Sequence, residues 1–597
     1  MKKLFLMKYP GASLAVGLSA WVAFSSATAQ TPPTGLTAAS TDTSGDAVAR
    51  IRDEGLNRSQ VMETLSYLCD VIGPRLTGSP NLKHANEWTR DKMTSWGLVN
   101  AHLEPWGPFG RGWALKRYYA EVIEPYTFPV IGAPKAWSPG LKKPIVADVV
   151  YLDVRTEADL EKYKGKLKGA IVLTSPALPV REHFEPVATR ESESNLVIMA
   201  SATSPGGGRG GARRGGRGGA PGGTNAAPGA ARGPGRRGGA GAGFGNLQGR
   251  ILAFLMKEDA ALALSPSAQG DYGTIFVSSA SLPAVEPRGT NAAGQRPGAP
   301  AGGASPPPAR GGRGSAYSTN APPMPAQVML AVEDYNRLVR MIQDGAKVKM
   351  AADLQVEYQN KDPMAYNTIA EIPGTDLKDQ IVMLGGHMDS WQGGTGATDN
   401  GAGVAASMEV VRILQALKLQ PRRTIRVGLW SGEEEGLLGS RAYVTRHFGY
   451  YTNMSGTNAA GGQGGGQLVR LPEYEKLSAY FNLDNGGGKI RGIYLQGNTN
   501  AAALFTRWLE PFHDLGAQTV TVRNTGGTDH QSFDGIGLPG FQFIQDTLDY
   551  NTRTHHSNED VYDRLQPDDL KQCATIMAAF VYNAAMMDEK VPRKSAE

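Results

Sequence analysis

Strand-like and helical segments alternate along the chain from about residue 364. A continuous apolar run at 381–385 and strand-like segments at 424–430 and 477–483 are typical of buried strands, and helical segments lie between them. This alternation favours an α/β fold with a mostly parallel central sheet and helices on both faces. Ligands of such sheets bind beyond the carboxyl ends of the strands, so we expect an active site among the residues that follow each strand.

Imidazole and carboxylate side chains follow several of these strands. The segments that carry them are His387-Met388-Asp389, Asp399-Asn400, Glu433-Glu434, Asp484-Asn485 and His555-His556. A single carboxylate at a strand end is commonly a helix cap or a solvated group, but five such segments together indicate a metal site. Nitrogen and carboxylate ligands without cysteine suit a catalytic zinc ion. One ion needs fewer ligands, which favours two ions that share a bridging carboxylate.

These residues resemble the di-zinc exopeptidases, a family that includes bacterial leucyl aminopeptidases, aminopeptidase S, carboxypeptidase Q and glutamate carboxypeptidase. The motifs that carry the resemblance are His387-x-Asp389, Gly396-Ala-x-Asp399-Asn400, Glu433-Glu434-x-Gly436-Leu437 and His556-Ser557-x-x-Asp560. The likeness covers roughly 59–120 and 361–590, and the segments around His387 and His555 look most like the carboxypeptidase Q branch. It implies the zinc exopeptidase fold and the hydrolysis of terminal peptide bonds or of dipeptides.

The resemblance also implies a set of metal ligands. Asp399 would bridge two Zn²⁺ ions. His387 and Asp484 would complete one site, and Glu434 and His556 would complete the other. Two zinc ions held in this way lower the pKa of a bound water toward about 7.

Three further assignments follow from the same resemblance. Of the adjacent histidines His555 and His556, we predict the second as the ligand, because it directly precedes the Ser-x-x-Asp that matches the family. Asp389 would accept a hydrogen bond from the other ring nitrogen of His387 and fix its tautomer. Glu433 would be the general base that takes a proton from water and delivers it to the leaving amine.

A substrate-binding segment is also implied. Asp529 and His530 match a pocket segment of the family, and Tyr550 lies near the last predicted ligand in the sequence. Each of these side chains is equally interpretable as a packing or capping residue. The residues do not distinguish an aminopeptidase from a carboxypeptidase or a dipeptidase.

The chain divides into segments of different composition. The predicted segments are a signal peptide (1–29), a flexible arm (30–58), a first part of the peptidase domain (59–120), an insert (121–355) and a second part with the di-zinc site (356–597). The resemblance implies that the insert is a small, β-rich, protease-associated domain. Two tracts rich in glycine, arginine and proline, 203–248 and 287–325, interrupt it and are predicted to be disordered.

The net charge of +5 is unevenly distributed. Residues 1–29, 201–250 and 287–320 carry 15 cationic and no acidic side chains, which leaves a net charge of −10 on the other 484 residues. The Arg-Gly-Gly repeats resemble RNA-binding tails, but the first tract holds one aromatic residue, Phe244, for bases to stack on. We therefore expect a peptide substrate and no nucleic-acid partner.

The N-terminal segment predicts export. Lys2, Lys3 and Lys8 precede the short apolar stretch 12–26, and Ala27-Thr28-Ala29 is a small-x-small cleavage site. We expect a periplasmic or extracellular protein with no membrane span after cleavage. The two cysteines, Cys69 and Cys573, could form a disulfide or remain separate thiols, and the choice between monomer and homodimer stays open.

Two rival interpretations are weaker. A different family of di-zinc amidohydrolases has a similar ligand set, but the separation of 12 residues between His387 and Asp399 and the early position of the insert disfavour it. A catalytically inactive binding protein on a peptidase scaffold is the second rival. It is disfavoured because all five predicted ligands and the predicted base are present.

Overall fold

The computed structural model describes residues 44–206, 240–284, 315–452 and 466–595. The predicted signal peptide (1–29) and most of the two Gly/Arg tracts lie outside these ranges. Within them, no helix combines the length and the apolar character that a membrane crossing requires.

The α-helices occur throughout the described ranges. They are α1 Ser44–Asn57, α2 Val61–Ser66, α3 Pro80–Ser95, α4 Glu193–Ala200, α5 Ala240–Lys257, α6 Val332–Gln343, α7 Ala402–Ala416, α8 Leu438–His447, α9 Ala502–Leu509, α10 His530–Asp534 and α11 Pro567–Met586. Short π-helical turns at Tyr67–Ile72, Ala397–Gly401 and Tyr550–Thr554 and 3-10 turns at Glu157–Tyr163, Thr499–Ala501, Glu510–Leu515 and Tyr562–Arg564 complete the helical structure.

The strands form two large sheets and one small pair. Strands β1 to β9 are Val99–Trp106, Gly112–Glu124, Phe128–Pro129, Gly132–Pro134, Ile145–Tyr151, Ile171–Leu173, Leu262–Pro266, Ala326–Leu330 and Lys349–Gln359. Strands β10 to β18 are Ala365–Ile372, Leu377–His387, Arg423–Trp430, Gly449–Tyr451, Leu468–Arg470, Leu477–Asn482, Ile490–Tyr494, Thr519–Thr521 and Gly540–Gln545.

The first sheet confirms the predicted α/β fold class. Its order is β1-β10-β12-β11-β15-β18-β16-β17. The four central strands, β12, β11, β15 and β18, are parallel, and the carboxyl ends of the first three carry predicted site residues. Strands β1 and β10 run antiparallel on one side, and β16 runs antiparallel to β18 on the other. The sheet is therefore mixed, with its parallel part at the centre.

Helices cover both faces of this sheet. On one face α1, α7 and α11 contribute to a large apolar cluster that includes Val411, Phe481 and Phe580. On the other face α8 and α10 contribute Tyr443 and Phe533 to a second apolar cluster, which also contains residues of the sheet. Parallel strands buried in this way on both faces need apolar side chains on both, which explains the largely apolar composition of these strands.

The second sheet lies in the predicted insert. Its order is β3-β2-β9-β5-β6-β7-β8-β4, and α6 packs on it through Tyr335, Leu338 and Val339. The predicted boundaries of the insert, 121 and 355, fall inside β2 and β9. These long strands pair with each other from Gly112 to Glu124, so the insert begins and ends nearer to 112 and 359.

Helix α1 corrects the predicted flexible arm. The arm was predicted to extend to residue 58, but Ser44–Asn57 is helical. Ala47 and Ile51 are fully buried in the cluster that contains α11. The composition of the arm resembles a linker, yet a few small apolar residues at helical spacing suffice to bury one face of a helix.

The ends of the Gly/Arg tracts also need correction. Helix α5 begins at Ala240, inside the predicted tract 203–248, and its later residues Ile251 and Leu252 are buried. Near the end of the tract 287–325, Ala316 and Met324 are buried as well. Tertiary contacts therefore order both tract ends, although their glycine-rich and proline-rich composition is typical of loops.

Candidate metal centre

The carboxyl ends of the parallel strands bring the predicted ligands together. His387 is the last residue of β11 and lies opposite Trp430, the last residue of β12. Asp484 follows β15 by two residues, and Glu433 and Glu434 follow β12 by three and four. His387, with 1% of its surface exposed, and Asp484, with 6%, are both buried. The parallel register thus explains why residues far apart in sequence meet at one edge.

Asp399 lies between two groups of side chains. Its Oδ1 atom is 3.2 Å from His387 Nε2, which is also 3.4 Å from Asp484 Oδ1. Its Oδ2 atom is 3.2 Å from His556 Nε2, which is also 2.9 Å from Glu434 Oε2. Each carboxylate oxygen of Asp399 therefore faces a different group, as a ligand that bridges two cations would.

The two adjacent histidines both approach Asp399. His556 lies nearer, because His555 Nε2 is 3.7 Å from Asp399 Oδ2. The ligand atoms of all three residues lie within 4.8 Å of one another. The ring of His555 also lies 4.7 Å from the ring of Tyr550. Burial, together with the charge of His556, lowers the pKa of His555 to about 4.

Unpartnered oxygen atoms indicate that this site fits a cation. Asp399 Oδ2 and Glu434 Oε1 are buried and accept no hydrogen bond from any described residue. Burial, reinforced by the charge of Asp399, raises the pKa of Glu434 to about 7. A buried carboxylate oxygen that accepts no hydrogen bond is costly, and a divalent cation with oxygen and imidazole ligands removes that cost.

Glu433 and Glu434 point to different parts of the site. Glu433 Oε2 lies 4.0 Å from His387 Nε2, whereas Glu434 contacts His556 on the opposite side of Asp399. Burial raises the pKa of Glu433 well above its ordinary value, and the charges of Asp484 and other nearby carboxylates add to the increase. A carboxyl group in this position is suited to exchange protons at a reacting centre.

Asp389 corrects one sequence prediction. The ring Nδ1 of His387 lies 2.9 Å from the backbone carbonyl oxygen of Asp389, and the carboxylate oxygen is farther, at 3.6 Å. The carboxylate instead accepts hydrogen bonds from Thr77 Oγ1 and from the backbone amides of Glu433 and Glu434. The short turn after β11 places the carbonyl within reach of the ring. The carboxylate of Asp389 therefore holds the Glu433-Glu434 turn.

Asp560 orients the bridging residue. Its Oδ1 atom accepts a hydrogen bond from the hydroxyl of Thr398 at 2.8 Å, and its Oδ2 atom accepts one from the amide of Asp399 at 3.3 Å. In the sequence, Asp560 belongs to a family motif that gives it no role of its own. The structure shows that it fixes the turn on which Asp399 lies.

Arg75 is a second residue that sequence analysis missed. Its guanidinium group is fully buried and donates hydrogen bonds to the carbonyl oxygens of Met388, Thr395 and Gly396 at 2.8, 2.8 and 2.7 Å, and to two carbonyls of its own segment. It thus joins the chain before α3 to both ligand-bearing turns. An isolated arginine outside the motifs gives no signal of this role.

The indole of Trp391 supports Glu434. Its Nε1 atom donates a hydrogen bond to Glu434 Oε2 at 2.7 Å, and its ring lies 5.8 Å from the ring of His556. The same carboxylate oxygen therefore meets a hydrogen-bond donor and an imidazole.

The predicted substrate residues lie around the metal centre. Asp529 is fully buried, and burial raises its pKa to about 7. His530 Nε2 is 3.2 Å from the carbonyl oxygen of Thr525, and burial lowers the pKa of this histidine to about 4. The ring of Tyr550 packs against Gly486 so closely that a Cβ atom added to this glycine would lie 3.0 Å from the ring. Asp529 and Tyr550 border the ligands, while the Nε2 atom of His530 faces a backbone carbonyl.

Both cysteines are buried free thiols. The sulfur of Cys573 lies 3.2 Å from the carbonyl oxygen of Gly488. The disulfide left open by the sequence is therefore absent from the described residues.

Comparisons with known proteins agree with this geometry. A sequence profile described as Peptidase family M28 matches residues 367–581. Carboxypeptidase Q of Mus musculus is 29% identical over 278 residues, which cover 46% of this chain and 53% of that protein. Carboxypeptidase Q of Xenopus laevis is 30% identical over 277 residues, with the same coverage. The chain thus spans about half the length of these curated relatives.

Two more similarities extend the comparison. Leupeptin-inactivating enzyme 1 of Streptomyces exfoliatus is 30% identical over 175 residues, 29% of this chain and 34% of that protein. The crystal structure of a Peptidase M28 precursor from Shewanella amazonensis SB2B has a TM-score of 0.56 and 20% identity, and it covers 93% of this chain and 99% of that one. The fold is shared along most of the chain, and the five predicted ligands lie within the profile match. Residues 367–581 are thus similar to peptidase family M28.

Proposed function

We propose that this protein is an exported zinc-dependent exopeptidase that hydrolyses terminal peptide bonds or dipeptides. The observation that carries the proposal is the position of Asp399, whose two carboxylate oxygens lie 3.2 Å from the imidazoles of His387 and His556. The match of residues 367–581 to peptidase family M28 supports peptide hydrolysis, and the similarity to proteins named carboxypeptidase Q supports an exopeptidase.

Two zinc ions fit this donor set. His387 and Asp484 would hold one ion, Glu434 and His556 the other, and Asp399 both. The ions would supply Lewis-acid chemistry, namely polarisation of a carbonyl group and a lowered pKa of water. The unpartnered oxygens of Asp399 and Glu434 support this assignment, because each would gain a ligand bond.

Glu433 is the proposed general base. It takes a proton from the attacking water and delivers it to the amine that leaves when the peptide bond breaks. Its carboxylate lies 4.0 Å from His387 Nε2, and the backbone of its turn is held by Asp389. The hydrogen bond from Nδ1 of His387 to the Asp389 carbonyl would leave Nε2 free to bind metal.

Export and the nature of the insert belong to the same proposal. The apolar stretch and cleavage pattern of residues 1–29 support export to the periplasm or the extracellular space. The insert contacts the metal centre through the segment between β7 and β8, where the amide of Val277 donates a hydrogen bond to the carbonyl of His556, and this contact supports the role of a protease-associated domain at the mouth of the active site.

A chelation experiment tests the proposal. The purified protein is assayed with a dipeptide and with an aminoacyl anilide, before and after treatment with a chelator, and again after zinc is added. We expect hydrolysis of at least one substrate, loss of activity on chelation, and recovery with zinc. The Glu433→Gln variant serves as the control for a contaminating peptidase. Hydrolysis that survives chelation would reject the proposal, and hydrolysis at the wild-type rate in this variant would reject Glu433 as the base.

A further inference from the structure

Residues 391–393 join the peptidase domain to the insert. The ring of Trp391 meets the ring of Trp137 edge to face, with centroids 6.3 Å apart and planes at 80°. Gln392 Nε2 donates a hydrogen bond at 2.9 Å to the carbonyl oxygen of Pro134, the last residue of β4. Both contacts hold this part of the peptidase domain against the insert.

Gly393 packs too closely against the insert to carry a side chain. A Cβ atom added to it would lie 2.7 Å from Val277 Cγ1 and 3.2 Å from the backbone nitrogen of Asn558. Non-bonded carbon atoms prefer a separation of about 3.5–4.0 Å, so space requires a glycine here. The amide of Val277 also binds the carbonyl oxygen of His556. One residue of the insert therefore contacts both this segment and a predicted ligand.

The insert also surrounds part of the half-buried Trp391 side chain. The indole packs against a buried apolar cluster whose members all belong to the insert: Ala133, Ile275, Val277, Met329 and Ala331. A side chain packed in this way is confined to one rotamer. The insert thus fixes the direction of the indole N–H.

This N–H contacts one of the predicted ligands. Trp391 Nε1 donates a hydrogen bond to Glu434 Oε2 at 2.7 Å, and His556 Nε2 lies 2.9 Å from the same oxygen. The other oxygen, Oε1, is buried and accepts no hydrogen bond from any described residue. Hydrogen bonds to a carboxylate are short and strong, so this one holds the carboxylate in a single orientation.

The other half of the proposed site is placed by the central sheet. His387 ends β11, and its Nδ1 atom lies 2.9 Å from the carbonyl oxygen of Asp389. Asp484 follows β15 by two residues. The contacts of the insert therefore act on the half that contains Glu434 and His556.

We propose that Trp391 is a positioning residue through which the insert orients Glu434 for metal binding. The insert holds residues 391–393, the packed indole holds Glu434 Oε2, and Oε1 is left available to the cation that His556 also binds. This inference rests on the proposed function and adds to it a dependence of the second zinc site on the insert.

Zinc binding in the absence of substrate tests the inference. Trp391→Phe keeps an aromatic ring and loses the N–H. Trp508→Phe is the matched control, because it changes another half-buried tryptophan, which packs on Phe580 of α11. In competition with a chromogenic chelator, we expect Trp391→Phe to bind one of two zinc ions about 10–100-fold more weakly and Trp508→Phe to bind both as the wild type does. Equal affinities of wild type and Trp391→Phe would overturn the inference.

Two variant backgrounds locate the effect. In Asp484→Asn, which lacks a ligand of the first ion, Trp391→Phe should still weaken zinc binding by about 10–100-fold. In His556→Ala, which lacks a ligand of the second ion, Trp391→Phe should cause no further loss. Equal losses in both backgrounds would indicate a general effect on the fold and would overturn the inference.

The visible absorption of bound Co²⁺ reports the geometry of its ligands. At saturating Co²⁺, the spectrum of Trp391→Phe should differ from that of the wild type, whereas the spectrum of Trp508→Phe should coincide with it. Identical spectra of wild type and Trp391→Phe would overturn the inference.

Gly393→Ala tests the contact with the insert directly. The added methyl group overlaps Val277, so we expect weaker binding of the second zinc ion. Val277→Ala in the same chain removes both overlapping γ-carbons and should restore part of the affinity. Wild-type affinity in Gly393→Ala, or no recovery in the double variant, would reject the role of the insert.

The inference and the proposed function can fail separately, because zinc titration needs no peptide. If the wild type binds two zinc ions but hydrolyses no peptide, the proposed function fails and the Trp391→Phe titration still decides the inference. If the wild type hydrolyses peptides and Trp391→Phe binds zinc equally well, the inference fails alone. A wild-type protein that binds fewer than two zinc ions would also overturn the inference.

Discussion

The backbone amide of Val277 donates a hydrogen bond to the carbonyl oxygen of His556 at 2.7 Å. Val277 lies between β7 and β8, so this contact joins the insert to the metal centre. Two further hydrogen bonds join the same segments. The amide of Asn558 donates to the carbonyl of Ile275, and the amide of Ile275 donates to Asn558 Oδ1 at 2.6 Å. His556 has a φ of 61°, a left-handed conformation that costs a non-glycine residue about 1–3 kcal/mol. The insert therefore helps to hold His556 in an unfavourable backbone conformation.

Replacement of Asn558 tests this coupling. Asn558→Ala removes the acceptor for Ile275 and the donor to the carbonyl of Gly273. We expect zinc affinity to fall by about 10–100-fold, as for other residues that orient ligands. Competition with a chromogenic chelator measures the affinity. Asn558→Asp, which keeps the acceptor and loses the donor, should weaken binding less, and unchanged affinity in Asn558→Ala would contradict the prediction.

Glu433→Gln should separate catalysis from metal binding. The amide cannot take a proton, so we expect kcat to fall by about 10²–10⁴-fold. Bound zinc, measured by elemental analysis, should remain at the wild-type level because Glu433 is not a predicted ligand. A variant with wild-type kcat would show that another group is the base.

Single substitutions of the two adjacent histidines should have different effects. His556 Nε2 lies 2.9 Å from Glu434 Oε2, and His555 lies farther from the shared Asp399. We expect His556→Ala to lose one of two bound zinc ions and His555→Ala to retain both. Zinc content after dialysis measures this. The opposite pattern would make His555 the ligand.

Arg75→Lys should destabilise the fold around the ligand turns. Lysine cannot reach the carbonyls of Met388, Thr395 and Gly396 together, and each buried acceptor left unsatisfied costs about 1–3 kcal/mol. We expect the free energy of unfolding to fall by at least ~2 kcal/mol in guanidinium titrations. Arg422→Lys, at a site with exposed acidic partners, is the control and should cost less. Equal losses would argue against a special role for Arg75.

The attachment of α1 should weaken in acid. Glu54 accepts a hydrogen bond from Arg412 on α7 at 2.9 Å. Burial raises the pKa of Glu54, but Arg58 and Arg412 outweigh it, and the pKa lies below its ordinary value. A lowered pKa stabilises the fold above the unfolded value of about 4.3, and this contribution disappears as the pH falls through the folded value.

The Glu54→Gln variant measures this effect. The difference in stability between the wild type and Glu54→Gln should be largest near pH 7 and should shrink below about pH 4, where the carboxyl group is protonated in both states. Unfolding titrations at several pH values provide the measurement. A difference that does not depend on pH would show that the charge of Glu54 is not involved.

Local patterns in the sequence predicted the central sheet and the ligands at its edge. The apolar runs before His387, Glu433 and Asp484 are long enough to identify buried strands, and parallel strands place the residues that follow them together. Glu433 and Glu434 are neighbours in the sequence, and their carboxylates lie near different histidines of the site, His387 and His556. These predictions depend on residue order and on short-range geometry, which a single sequence records.

Contacts between distant segments decided the rest. The carbonyl of Asp389, rather than its carboxylate, meets His387 because of the exact path of one turn. The side chain of Arg75 binds backbone carbonyl groups of the site, and Val277 contributes its own backbone amide. Every residue has these backbone groups, so the sequence does not mark either contact. The sequence by itself thus determined the type of sheet and the chemistry of its edge, because periodicity and residue type are local properties. Tertiary structure alone decided which groups orient the ligands, because hydrogen bonds across hundreds of residues depend on three-dimensional packing.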